Sequence, residues 1–202
     1  DILEDIDNQY LVTEYINMCD ELKAVYDGAV NTVRMIVFKK DGKNPQIGNA
    51  YVRFGSKKTG AVDNVGAGGM TATIDVATGH FHDAKIVMNN SIEDCPIHPD
   101  TGVPIDGYLP HWEQVKQQVL DVTKSIKQLE FFGVDLAVTN DGIKFPEINR
   151  FPDYPAVEKY TKPTREYLLY KLAGKKHHYG YDVTPNKTLV HLPKRDSERG
   201  KS

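Results

Sequence analysis

A chain of 202 residues with 40% apolar and 26% charged side chains is long enough for one domain, or one and a fraction, with a real core. Its net charge of -3 gives no general attraction to nucleic acid or anionic membrane, and no apolar run nears the length that spans a bilayer. Two cysteines, Cys19 and Cys95, make neither a disulfide framework nor a zinc site, which favours a reducing, cytoplasmic setting.

In chain order, an acidic opening is followed by LVTEYI (11–16), which reads as a short apolar strand, and by a helix between Asn17 and Val25. The chain opens on Asp1, as a processed chain or a piece of a longer one would. VNTVRMIVF (30–38) and IGNAYVRFG (47–55) alternate and flank the turn-rich Asp41-Gly42-Lys43-Asn44-Pro45, a hairpin pattern. Its midpoint puts Arg34 and Arg53 roughly opposite each other. Two guanidinium groups side by side need an anion between them. That anion is either a phosphate or carboxylate of a ligand, or an internal Asp or Glu; Asn31 joins either network.

Five glycines punctuate residues 55–69 around Asp63 and Asn64, a loop that lacks GK[ST] and the dinucleotide spacing. MTATIDV (70–76) and FHDAKIVM (81–88) form a third strand pair, with His80 and His82 as turn and strand residues rather than metal ligands. The Pro- and Gly-rich connection 96–110 is too broken for a regular element, and His98, Asp100 and His111 are candidates for substrate contact there. Trp112, Val115, Val119, Val122, Ile126 and Leu129 then recur at helical spacing, and Gly133 is expected to stop the helix. A second helix is expected over 163–173, and the tail 174–202 carries seven Lys/Arg against three Asp/Glu.

The run GVDLAVTNDGIKFPEIN (133–149) holds the most chemistry. With Asn140-Asp141-Gly142 as a three-residue loop, Asp135 faces Glu147 and Gly133 faces Asn149, so the three polar side chains share one sheet face. A two-residue loop would shift the register by one and turn Asp135 away. Oxygen ligands without His or Cys suit a hard ion such as Mg²⁺ or Mn²⁺; a wet polar face is the alternative.

NTVR (31–34), YVRFG (51–55), Asp63-Asn64 with Gly68-Gly69, HPDTG (98–102), the run from Leu109 to Val115, and GVDLAV followed by EIN (147–149) occur in one order. Together they resemble the ATP-grasp superfamily, in its sugar-transfer-associated branch, over roughly residues 10–155. The resemblance implies an α+β fold, mostly antiparallel sheet with covering helices, with residues 1–173 as the C-terminal half of the module and 1–17 as its hinge-strand region. It implies that Asp135, Glu147 and Asn149 hold the Mg²⁺ (or Mn²⁺) bridging the ATP phosphates. Glu14, Tyr15 and Ile16 would lie along the nucleotide, Asn31 and Arg34 at the phosphates. Arg53, Asp63, Asn64, Gly68 and Gly69 would border the acceptor pocket.

The implied reaction is ATP-dependent ligation, in which a carboxylate is activated as an acyl-phosphate and an amine or similar nucleophile displaces phosphate, in exopolysaccharide or cell-surface sugar biosynthesis. The branch often has Gly between the metal Glu and Asn; here Ile148 stands there. Nothing before Leu11 supplies the phosphate-binding lysines and glycine-rich loop of an N-terminal half. The expectation is that this chain holds metal but binds ATP poorly alone, and pairs with a missing half or a second copy. Two rivals are a retaining glycoside hydrolase using Asp135 and Glu147 and a non-catalytic binding module.

Overall fold

The computed structural model describes residues 14–39, 43–88, 91–150 and 152. Its elements, in chain order, are helix α1 (Asp20–Val25), strands β1 (Val33–Lys39), β2 (Pro45–Phe54), β3 (Met70–Ile74), β4 (His80–Met88), β5 (Ser91–Asp94) and β6 (Gly107–Tyr108), helix α2 (Trp112–Lys124), and strands β7 (Phe131–Thr139) and β8 (Gly142–Asn149). The strands form one antiparallel sheet in the order β5-β4-β3-β2-β1-β7-β8, with β6 on β4. This is the α+β architecture expected.

Period-2 alternation divides the sheet's side chains between two faces. Val33, Met35 and Val37 of β1, Ala50, Val52 and Phe54 of β2, and Val134, Leu136 and Val138 of β7 point to one side. There they meet Leu22 and Val25 of α1 and Trp112, Val115 and Val119 of α2 in one continuous core. The other side carries Arg34, Arg53, Asp135 and Glu147. Strand β1 is nevertheless buried along its whole length, which places Arg34 in the interior.

Helix α2 ends at Lys124, earlier than the apolar spacing suggests. The Thr123 hydroxyl donates to the carbonyls of Val119 and Leu120, and the Ser125 hydroxyl to that of Val122. The backbone meanwhile tightens to bonds from Ser125 to Val122 and from Ile126 to Thr123. Hydroxyls that take the last carbonyls compete with helix continuation. Gly133 therefore lies within β7 and ends no helix.

Residues 14–16, the described part of the expected strand 11–16, belong to no strand, and Tyr15 is 82% exposed. Residues 11–13, the helix expected over 163–173 and the basic tail 174–202 lie outside the described residues. Among the described residues no helix is long and apolar enough to cross a membrane.

Candidate functional site

Two register details build the site. The β7–β8 hairpin turns through two residues, Asn140 and Asp141, with Thr139 opposite Gly142 and Ala137 opposite Lys144. That is the shorter loop, which alone would turn Asp135 away. The register shifts between Ala137 and Asp135, where Leu136 faces both Phe145 and Pro146. Pro146 has no N–H to give the ladder, and a bulge is one of the few places in a sheet that tolerates it. Beyond the bulge Asp135 pairs with Glu147 and Gly133 with Asn149, the pairing expected from the sequence.

The β1–β2 hairpin carries a bulge of its own at Gly48, and Arg34 faces Tyr51 rather than Arg53. The two arginines are thus diagonal neighbours on one face. The anion between them is internal. Asp135, opposite Arg34 on β7, accepts at Oδ1 from Nε of Arg34 and at Oδ2 from Nη2 of both Arg34 (2.7 Å) and Arg53 (2.8 Å). Its side chain is only 5% exposed and that of Arg34 6%. Arg53 is held from its other side by Thr32. The Thr32 hydroxyl accepts from Nε of Arg53 (3.1 Å) and donates to Oδ2 of Asp63, which also accepts the Thr32 backbone N–H (2.8 Å). Two guanidiniums and two carboxylates so form a charge-balanced network, the condition under which buried ions persist.

Gly133 makes room for it. A Cβ there would lie 2.8 Å from Cβ of Pro152 and 3.0 Å from Cδ of Arg34, so the arginine lies flat across β7 because residue 133 has no side chain. Gly69 serves the same purpose in the 55–69 loop, where a Cβ would meet the carbonyl oxygens of Asn64 and Phe54 at 2.9 Å. That loop is tied down throughout. Asn64 Oδ1 accepts from Gly66 N–H, Ser56 Oγ donates to Gly68 O (3.0 Å), and Asp100 accepts from Lys57 N–H (2.8 Å).

The other sequence-predicted residues occupy different places. Asn31 turns away from Arg34. Its Nδ2 donates to Tyr26 O (2.6 Å) and its Oδ1 accepts from Gly55 N–H (3.1 Å), which fastens the end of α1 to the end of β2. His98 is fully buried and stacked on Tyr26, with Nε2 against Gly55 O (2.9 Å) and Nδ1 against Asp100 N–H (3.3 Å). Glu14 pairs with Lys144 at the exposed end of β8 (3.1 Å), and Ile16 is half-buried. His111 sits at the start of α2. His80 stacks on His82 and Tyr108, and its Nε2 meets Asp106 (3.1 Å). Trp112 is core, its indole N–H bonded to Val76 O (2.9 Å), so it lines no sugar cleft. Thr32 was not singled out from the sequence, although it stands two residues before Arg34, on the same face of an extended segment.

A hard cation can be tested against this geometry. Glu147 and Asn149 are oxygen donors two residues apart on one face of β8, as such an ion requires. Asp135, the third expected ligand, has both oxygens committed to guanidinium groups. Among the described residues no three His, Cys, Asp or Glu side chains are grouped to hold a metal. As folded, the set does not fit an ion held by all three.

An antiparallel sheet with helices packed on one face and charged, cross-linked strands on the other is the α+β arrangement of an ATP-grasp-type fold. The family comparison is more particular. Residues 3–156 match the sugar-transfer associated ATP-grasp family, and the chain belongs to that family. Comparisons with curated proteins and with solved structures returned no match.

Proposed function

We propose that this chain carries the phosphate-side half of an ATP-dependent ligase site that activates a carboxylate as an acyl-phosphate and passes it to an amine or similar nucleophile, in the building of a cell-surface sugar polymer. Membership of the sugar-transfer associated ATP-grasp family supports ATP and a ligase-like reaction linked to sugar transfer. The observation that carries the finer reading is the buried Arg34 and the half-buried Arg53 converging on one carboxylate, that of Asp135, whose partner on β8 is Glu147.

Two inward-facing guanidiniums suit an anionic group with several oxygens, and the planar fork of each matches phosphate or carboxylate in bidentate fashion. Arg34 and Arg53 would orient the transferring phosphoryl group and offset the charge that develops on it. Glu147 and Asn149 would hold Mg²⁺ or Mn²⁺, which when bound neutralises phosphate oxygens. Asp63 and Thr32 would fix Arg53 at the edge of the acceptor pocket. The residues Asn64, Gly68 and Gly69 would shape its wall.

The test is Glu147→Gln in the full-length protein, followed by Mg²⁺-dependent release of ADP. Loss of that release with unchanged folding is expected; unchanged turnover would reject the assignment of Glu147. If no ATP hydrolysis or ligation is found with any carboxylate, and neither Mg²⁺ nor nucleotide moves the melting temperature, the chain is a binding module instead.

A further inference from the structure

We infer that the polar face of the sheet carries, at its β4–β6 end, a subsite for a neutral sugar unit of the acceptor, so that the acceptor is an oligosaccharide lying across the strands. The inference rests on the ligase reading above and names the substrate class for it.

The face is continuous. Asp135 pairs with Arg34, Arg34 with Tyr51, Tyr51 with Thr73, and Thr73 with His82. Directly paired positions share a face, so the arginine network and His82 belong to one row. Three strand spacings separate Arg34 from His82, roughly 14 Å, and β6 adds one more. A single sugar ring does not bridge that gap.

A bulge shapes the far end of the row. Thr71 pairs with Lys85 but Thr73 with His82, so Asp83 and Ala84 stand where Ala72 would face one residue. Only with that surplus do His82 and Lys85, three positions apart, come to the same side. Asp83 absorbs it at φ 52°, a left-handed conformation uncommon for a residue with a side chain. Bulges and such backbone gather beside working sites, and this one lies two strands from Arg53. Next to it rings are stacked. His80 lies against His82 (4.9 Å, 27°) and against Tyr108 of β6 (4.6 Å, 21°), and Tyr108 is 61% exposed.

The chemistry selects the occupant. Ionisable side chains at this end come in opposite pairs: His80 Nε2 meets Asp106 (3.1 Å), His82 Nδ1 meets Asp83 (3.0 Å), and Lys85 meets Asp94. The balance favours a neutral ligand, in contrast to the arginine end. An exposed aromatic face beside the exposed carboxylate of Asp106 and the hydroxyls of Thr71 and Thr73 suits a pyranose ring, with C–H groups on its faces and hydroxyls on its rim.

The test uses the full-length protein without nucleotide. Tetrasaccharides of β-linked glucose, α-linked glucose, mannose and N-acetylglucosamine are titrated, with calorimetry and the histidine ring signals as readouts. At least one should bind, shift the His80 and His82 signals, and bind more tightly than its own monosaccharide. Tyr108→Ala should weaken that binding roughly 3- to 10-fold, the worth of one ring stack, and Tyr108→Phe should restore it. Binding of none of the four, a Kd indifferent to Tyr108→Ala, or a monosaccharide as tight as the tetrasaccharide overturns the subsite. Displacement of the sugar by adenosine, with the same ring signals shifting, assigns the stack to a nucleobase and overturns it too. These results leave Mg²⁺-dependent ADP release untouched, so the ligase reading stands or falls separately, on the Glu147 variant. Sugar binding by a protein that never releases ADP removes that reading and keeps the subsite.

Discussion

Strands β1 and β7 are buried on both faces, yet the two faces are held by opposite physics. On one side Val33, Met35, Val134 and Leu136 meet the helices, and burial alone stabilises them, in proportion to area and with little demand on direction. On the other side Arg34 and Asp135 occupy adjacent positions of the same two strands, and there burial is a cost that only correct pairing offsets. The first face tolerates any apolar residue of similar volume. The second tolerates almost no change of partner, because a buried charge that loses its counterpart is costly.

The sharpest way to break this comparison uses two neighbouring residues of β7. Asp135→Ala removes the carboxylate that Arg34 and Arg53 share and should cost about 3–5 kcal/mol. Leu136→Ala, one residue on and facing the helices, should cost about 2–5 kcal/mol through a cavity. Urea unfolding with added phosphate separates them, because phosphate should restore part of the loss in the first variant and none in the second. Equal indifference to phosphate would mean the charged face is not anion-responsive.

Gly133→Ala is expected to cost roughly 1–3 kcal/mol, by pressing a methyl group on the Arg34 stem and Pro152. In an Arg34→Met background, itself costly, the same titration should show Gly133→Ala costing less than it does in the parent, since the shorter apolar chain can yield. Thr32→Val should have the smallest effect, about 1 kcal/mol, because Arg53 and Asp63 still face each other at 3.5 Å. Thr32→Ser should recover it, and a Val variant as stable as the parent would show that the hydroxyl link is dispensable.

Much of the fold could be read directly from the sequence, because alternation and helical spacing report which face is apolar. The hairpins at 30–55 and 133–149 and the α2 stripe from Trp112 to Val119 are of this kind. What alternation does not report is a bulge. The pairing of Asp135 with Glu147 follows from a three-residue loop in the sequence, whereas the chain reaches it with a two-residue loop and the extra residue at Phe145-Pro146. In the β1–β2 hairpin Lys39 already pairs with Pro45, a register that, continued unbroken, would set Arg34 opposite Ala50. The extra residue Gly48 sets it opposite Tyr51 instead and so brings Arg53 to its diagonal on the same face. The neighbours of a strand are hidden too: β1 lies against β7 across some hundred residues, so the Arg34–Asp135 pair has no local signal. His98 illustrates the converse. Its place in HPDTG suggests chemistry, but both ring nitrogens are spent on the backbone.

The bulge in β8 has one more implication, for sequence change over time. Because the strand carries a surplus residue between its tip and its working end, the tip can gain or lose a residue without scrambling what lies beyond, provided the surplus adjusts in step. A single deletion at Pro146, or anywhere between the tip and it, is absorbed as the bulge closes and keeps Glu147 opposite Asp135. A second would find no surplus and would send Glu147 and Asn149 to the greasy layer and Ile148 to the wet one. Insertions at 140–141 that have drifted together with 145–146 would be the mark such a buffer leaves among descendants of this fold.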